Sequence, residues 1–200
     1  MIDKAIPDTD INRQFMLRWS LDSIFMTPQP IVCQWMKPSQ GSVIVNIHGS
    51  LLDNVAGFGV IIRDDEGKVL AVDAGSLKPK SITVHELHGL EMGLRLAISS
   101  DFRSLQVGMD STTVITYVQQ SVVPPWATIP IMQSIRQMIR GLDYFQIQHI
   151  YHETNRAADH LASLYPSAEF LEIVLSSFVE DLKKIIFEDK SGKAYYRCIS

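Results

Sequence analysis

The 200-residue chain reads as an α/β protein built on a five-stranded mixed sheet. Three observations predict this class. Residues 42–72 hold three short alternating runs in succession, the pattern of an antiparallel meander. Beyond residue 80 the apolar period changes to that of helices, and two further strand-like runs alternate with them. Strands joined through helices lie parallel in their sheet, so the sheet combines an antiparallel meander with two parallel strands, flanked by helices.

The elements follow in order. Residues 11–26 carry Phe15, Trp19 and Leu21 to Met26 at helix-like spacing, and Pro28, Pro30 and Pro38 then force an extended arm. This sets off an N-terminal helix and arm over 1–38 from a main domain over 39–200. In the first strand Val43, Val45 and Ile47 alternate with Ile44 and Asn46, and Gly49 reads as a turn. His48 is thereby expected at a strand end, where open sheets place their chemistry. Asp64–Lys68 reads as the turn between the second and third strands. Residues 81–100 form a helix with Leu87, Leu90 and Leu94 on one face, and Gly89 and Gly93 allow close packing. A fourth strand at 103–109, a helix at 111–120, a loop at 121–130 and a helix at 131–142 come next. The fifth strand spans 144–151, followed by a helix at 155–165 and a longer, apolar-rich one at 168–187.

Bulk properties narrow the function. A hydrophobic content of 46% supports a real core, and a net charge of −4 gives no global basic field for nucleic acid. Cys33 and Cys198 lie far apart and match no metal or redox spacing, as expected in a reducing compartment. The first ten residues lack a signal-peptide pattern, and no apolar run approaches the roughly 18 residues of a membrane span. The expectation is an intracellular protein, nuclear or cytoplasmic, with no membrane partner.

The acidic residues are more specific. Asp110 closes the fourth strand, Glu86 falls in the first turn of the 81–100 helix, and Asp159 sits early in the 155–165 helix. Each has a local explanation. Thr83 and Glu86 fit a capping box, Asp110 fits an N-cap, and Asp159 complements a helix dipole. In the expected topology, however, all three converge on one cleft with His48. Three carboxylates in one cleft repel one another unless a cation or a proton compensates.

The ordered motifs "WMKPSQGSVIVNIHGS", "AGFGVIIRDDEGKVL", "HELHGLEMGLRLA", "VGMDSTTVI" and "HIYHETNRAADHLA", with the tail "FEDKSGKAYYRCI", resemble a ribonuclease H-like domain of the plant type. Such domains belong to the reverse-transcriptase-like proteins of non-LTR retroelements, and the resemblance spans roughly residues 35 to 199. It implies a ribonuclease H-like fold and an ancestral endonuclease activity on the RNA of RNA–DNA hybrids. Active relatives hold two divalent ions, Mg²⁺ (or Mn²⁺), with four carboxylates. Glu86, Asp110 and Asp159 match three of these four; Glu86 would also orient the attacking water. The first, bridging aspartate falls on His48.

Two readings of His48 carry chemistry. Without the bridging carboxylate the magnesium pair does not assemble, and a protonated imidazole holds the acids together as ion pairs. In the other reading a histidine among carboxylates selects Mn²⁺ or Zn²⁺. A third gives the substitution no role. His85 and His88, three apart, could meet, and read as a solvated or partly buried surface feature. The resemblance further implies that a hybrid is gripped by shape, with Asn46, Gly49, Ser111, His152 and Asn155 as candidate contacts. The segment "QQSVVPPWATIP" lacks the lysines and arginines that relatives carry there, so weak affinity is expected. Its Trp126 either stacks on a sugar or base or is buried against the next helix. The alternative class is a protein-interaction module, because apolar residues in 168–187 cover more than one helix face and suit a protein partner or homodimer.

Overall fold

The computed structural model describes residues 6–7, 9–21, 25–26, 29–52, 55–78, 80–164 and 179–197. These fall into two compact units, one of residues 1–33 with 194–200 and one of residues 34–193. In the smaller unit β1 (Ile6–Pro7) pairs in parallel with β2 (Phe25–Met26), and α1 (Asp10–Arg18) lies between them in sequence. Thr9 caps α1, its side chain accepting from the Asn12 N–H. The helix expected over 11–26 therefore stops early, at Arg18, and Ser20 takes a left-handed φ of 47° just beyond it. β3 (Ile31–Cys33) pairs antiparallel with the last strand, β9 (Tyr195–Arg197).

The larger unit carries the five-stranded sheet, in the order β6-β5-β4-β7-β8. Here β4 is Val43–Leu52, β5 is Val55–Arg63 and β6 is Val69–Leu77, forming the antiparallel meander. β7 (Ser104–Met109) and β8 (Tyr144–His149) extend it in parallel, as the helical crossovers require. The helices are α2 (Ile82–Ser99), α3 (Thr112–Val118), α4 (Ile129–Arg140), α5 (Arg156–Ala162) and α6 (Glu180–Lys190). Short 3₁₀ turns at Trp126–Thr128 and His152–Thr154 lead into α4 and α5. The expected 168–187 helix falls largely on residues 165–178, outside those described; the described helix there starts at Glu180.

Strand alternation sends side chains to two cores. Val45, Ile47, Val107 and Met109 meet Leu87, Leu90 and Leu94 of α2 on one face. Ile61, Val72 and Ala74 meet Ala157 and Leu161 of α5 and Leu182 and Ile185 of α6 on the other. Gly59 is what lets α5 lie on β5: a Cβ there would collide with the Ala158 carbonyl and come within 2.5 Å of the Ala162 nitrogen.

Four expectations need correction. β4 does not end at His48 but runs to Leu52, with Gly49 in mid-strand opposite Phe58. Its parallel partner β7 stops opposite Ile47, so His48 still occupies the first position beyond the parallel pairing. Asn46 is 1% exposed and belongs to a buried network rather than a ligand surface. Its Oδ1 accepts from Trp35 Nε1 (3.1 Å) and Arg63 Nη2 (2.8 Å), while Arg63 Nη1 donates to Asp189 Oδ2 (2.8 Å) and the guanidinium stacks on the Trp35 ring. Trp126 is not packed on α4; it stands 84% exposed. His85 is buried, its Nε2 accepting from the Lys80 N–H, so it is not the surface residue expected.

Candidate functional site

The end of the parallel pairing gathers the predicted acids. β4 supplies His48, β7 leads directly into Asp110, α2 presents Glu86, and α5 presents Asp159. Their close approach has a backbone cause at Gly49, where a Cβ would lie 2.5 Å from the Glu86 nitrogen and 2.6 Å from the His85 carbonyl carbon. Only a glycine lets the second turn of α2 rest on β4, and its N–H donates to the Glu86 carboxyl. The local roles proposed for the acids belong to neighbours instead. Ser81 caps α2 and Ser111 caps α3, accepting from Val84 and Val114 N–H, so neither the Thr83–Glu86 box nor an Asp110 cap exists. Asp110 and Glu86 are left available to the cleft.

His48 sits in the middle. Its Nδ1 is 3.2 Å from Asp110 Oδ1 and 3.6 Å from Glu86 Oε1, and its Nε2 is 3.4 Å from Asp159 Oδ1. His152 joins the same cluster from the 3₁₀ turn before α5. Its Nδ1 is 3.0 Å from Asp110 Oδ2 and its Nε2 is 3.9 Å from Asp159 Oδ2. The two rings stand 5.4 Å apart. The sequence offered His152 only as a candidate hybrid contact; its spacing seven residues before Asp159, around one helix start, was the available sign that both would face the same point.

Electrostatics follow the geometry. Burial opposes charging of His48, but the Asp110 hydrogen bond and the Asp110, Glu86 and Asp159 charges outweigh it and raise its pKa. The Asp110 hydrogen bond, working against burial, raises that of His152 as well. Asp110 is buried too, yet the two imidazole hydrogen bonds and the His48 charge hold its carboxyl well below the usual range. Burial pushes Glu86 the other way, to about 7, despite the opposing His48 charge. Its Oε2 is buried without a hydrogen-bond partner among the described residues.

Of the other candidates, Ser111 and Gly49 line a cleft of about 390 Å³ beside His48, Glu86 and Asp110. Asn155 is 1% exposed; its Nδ2 donates to the Ile47 carbonyl at 2.8 Å, so it anchors the loop before α5 to β4 and offers no surface contact. A larger cavity of about 470 Å³ between α3, α4 and β8 contains none of these side chains. Among the described residues, two trios place ligand atoms close enough for one metal ion: His48, His152 and Asp159, and His48, Glu86 and Asp110.

Comparison with known proteins adds the family. A family described as reverse transcriptase-like matches residues 46–165, well over half of the chain. No curated protein sequence matches. Among solved structures, RNase H1 of Halobacterium salinarum is 21% identical with a TM-score of 0.58, over 61% of this chain and 95% of that one. The N-terminal RNase H domain of a Mycobacterium tuberculosis protein is 22% identical with a TM-score of 0.59, over 62% and 98%. LC11-RNase H1, isolated from compost by a metagenomic approach and solved in complex with an RNA/DNA hybrid, is 23% identical with a TM-score of 0.57, over 62% and 96%. At these identities the structures speak for the fold and the sequence match for the family: the chain belongs to the reverse-transcriptase-like family and has a ribonuclease H-like fold.

Proposed function

We propose that residues 39–200 form a nucleic-acid-binding ribonuclease H-like domain of the plant type, directed to RNA–DNA hybrids, that does not cleave them in Mg²⁺. The observation that carries this reading is the His48 ring lying 3.2 to 3.6 Å from all three matching carboxylates. A magnesium pair needs hard oxygen ligands and a carboxylate able to bridge both ions; an imidazole nitrogen is neither. The donor set does not fit the pair, and in the metal-free chain the protonated ring supplies the positive charge that lets the acids coexist. Fold and family favour hybrid engagement by shape, across sugars and phosphates, with Gly49 and Ser111 lining the cleft, His152 beside Asp110 and Trp126 as an exposed ring for stacking. Affinity is low because residues 119–130 carry no basic side chain. Such a domain acts inside the cell, in nucleus or cytoplasm, where hybrids arise.

The test is cleavage of an end-labelled RNA–DNA hybrid in Mg²⁺ by this chain and by His48→Asp. Cleavage should appear in His48→Asp alone, because the substitution restores the fourth carboxylate to a scaffold already holding the other three. Equal cutting by the unsubstituted chain would overturn the proposal.

A further inference from the structure

We propose that His48, His152 and Asp159 form a binding site for a single zinc ion, with Asp110 as the outer carboxylate that orients both rings. The inference rests on the reading of this cluster as one unsuited to a magnesium pair, and it names the ligand that replaces it. The two rings are arranged as metal-bound histidines are. Each turns its Nδ1 toward one oxygen of Asp110, at 3.2 Å for His48 and 3.0 Å for His152. An Nδ1–H donated to a carboxylate fixes the tautomer and leaves the Nε2 lone pair for the metal. Both Nε2 atoms then face Asp159, at 3.4 Å from Oδ1 and 3.9 Å from Oδ2.

Tetrahedral zinc, about 2.0–2.1 Å from each nitrogen and oxygen ligand, sets neighbouring donor atoms about 3.3 Å apart. The His48–Asp159 separation already meets this. The His152 side chain is 53% exposed with its Nε2 3.9 Å from the second Asp159 oxygen, so a side-chain rotation would close its gap. Three protein ligands leave the fourth position open toward solvent, the arrangement of zinc sites that keep a water. Nitrogen donors also select zinc over magnesium. The competing trio of His48, Glu86 and Asp110 is a poorer site. There both carboxylates crowd the single Nδ1 of His48, and Glu86 is the most deeply buried of the acids.

The experiment uses the full chain stripped by chelator, near neutral pH and without nucleic acid. Zn²⁺ is titrated by calorimetry and Co²⁺ by visible absorption. The expected result is one ion per chain, a Co²⁺ spectrum of four- or five-coordinate intensity, and no competition from excess Mg²⁺. His152→Ala should weaken zinc binding by at least about tenfold, whereas Glu86→Gln should leave it within about threefold. Because His152 is half exposed, a circular dichroism spectrum and melting curve matching the parent certify its fold. Absence of zinc uptake, equal affinity in His152→Ala, or displacement by Mg²⁺ would overturn the site. None of these readouts involves a hybrid, so failure of zinc binding leaves hybrid binding standing, and failure of hybrid binding leaves zinc untouched.

Discussion

At the residue scale, Glu86 and Asp110 show how one cluster drives two carboxyls in opposite directions. Asp110 receives two imidazole hydrogen bonds and stays ionised, whereas Glu86 has an orphaned buried oxygen and is raised to about 7. A carboxyl raised on folding contributes stability that is present below its unfolded pKa and lost as pH climbs through its folded value. In the metal-free chain, Glu86→Gln should therefore be more stable than the parent at about pH 8.5, by on the order of 2 kcal/mol, with the gain vanishing near pH 4. Urea denaturation at the two pH values checks this, and a stabilisation confined to acid would contradict it. His48, Glu86, Asp110 and Asp159 were legible in the sequence because each belongs to a motif of fixed spacing. Asn46 and Asn155 were misplaced because a polar side chain in a strand or loop looks alike whether it meets solvent or a buried partner. Only the three-dimensional positions of Arg63, Trp35 and the Ile47 carbonyl decide which.

Among the elements, the meander is tied to α6 by an ion pair sealed from water. Arg63 and Asp189 are both buried, 126 residues apart, and Arg63 Nη2 also donates to Asn46. Asp189→Ala would leave the Arg63 charge buried with its carboxylate gone, so it should cost about 3–5 kcal/mol, measured by equilibrium denaturation. Replacing an exposed ion pair such as Lys183–Glu180 should cost under about 1 kcal/mol. The five strands and their directions were readable because alternation is local and a helical crossover dictates a parallel return. The β3–β9 pairing was not, since two three-residue strands at opposite ends of the chain carry no shared periodicity. Helix α1 was overextended for a related reason: apolar spacing continues past residue 18, while the left-handed turn at Ser20 needs no glycine to announce it.

For the whole molecule, charge sets the terms of association. A net charge of −4 and an acidic cleft disfavour a phosphate backbone. Hybrid affinity, followed by fluorescence anisotropy from about 50 to about 200 mM salt, should fall with a log–log slope shallower than about −3, because each neutralised phosphate contributes nearly one unit. A steeper slope would contradict this reading of a weakly held backbone. The sheet order has a kinetic corollary. The meander is one contiguous stretch, residues 43–77, and its contacts close short loops. His48 meets Asp110 only after β7 has crossed over to β4, a separation of 62 residues, and Asp159 arrives later still in the chain. Contacts that close long loops form late on the route to the native state. Substitutions at His48 should accordingly leave the refolding rate measured by stopped-flow fluorescence unchanged and alter the unfolding rate alone. The cluster then acts as a latch on a finished scaffold: chemistry at this position can be exchanged while the path by which the chain finds its fold stays the same.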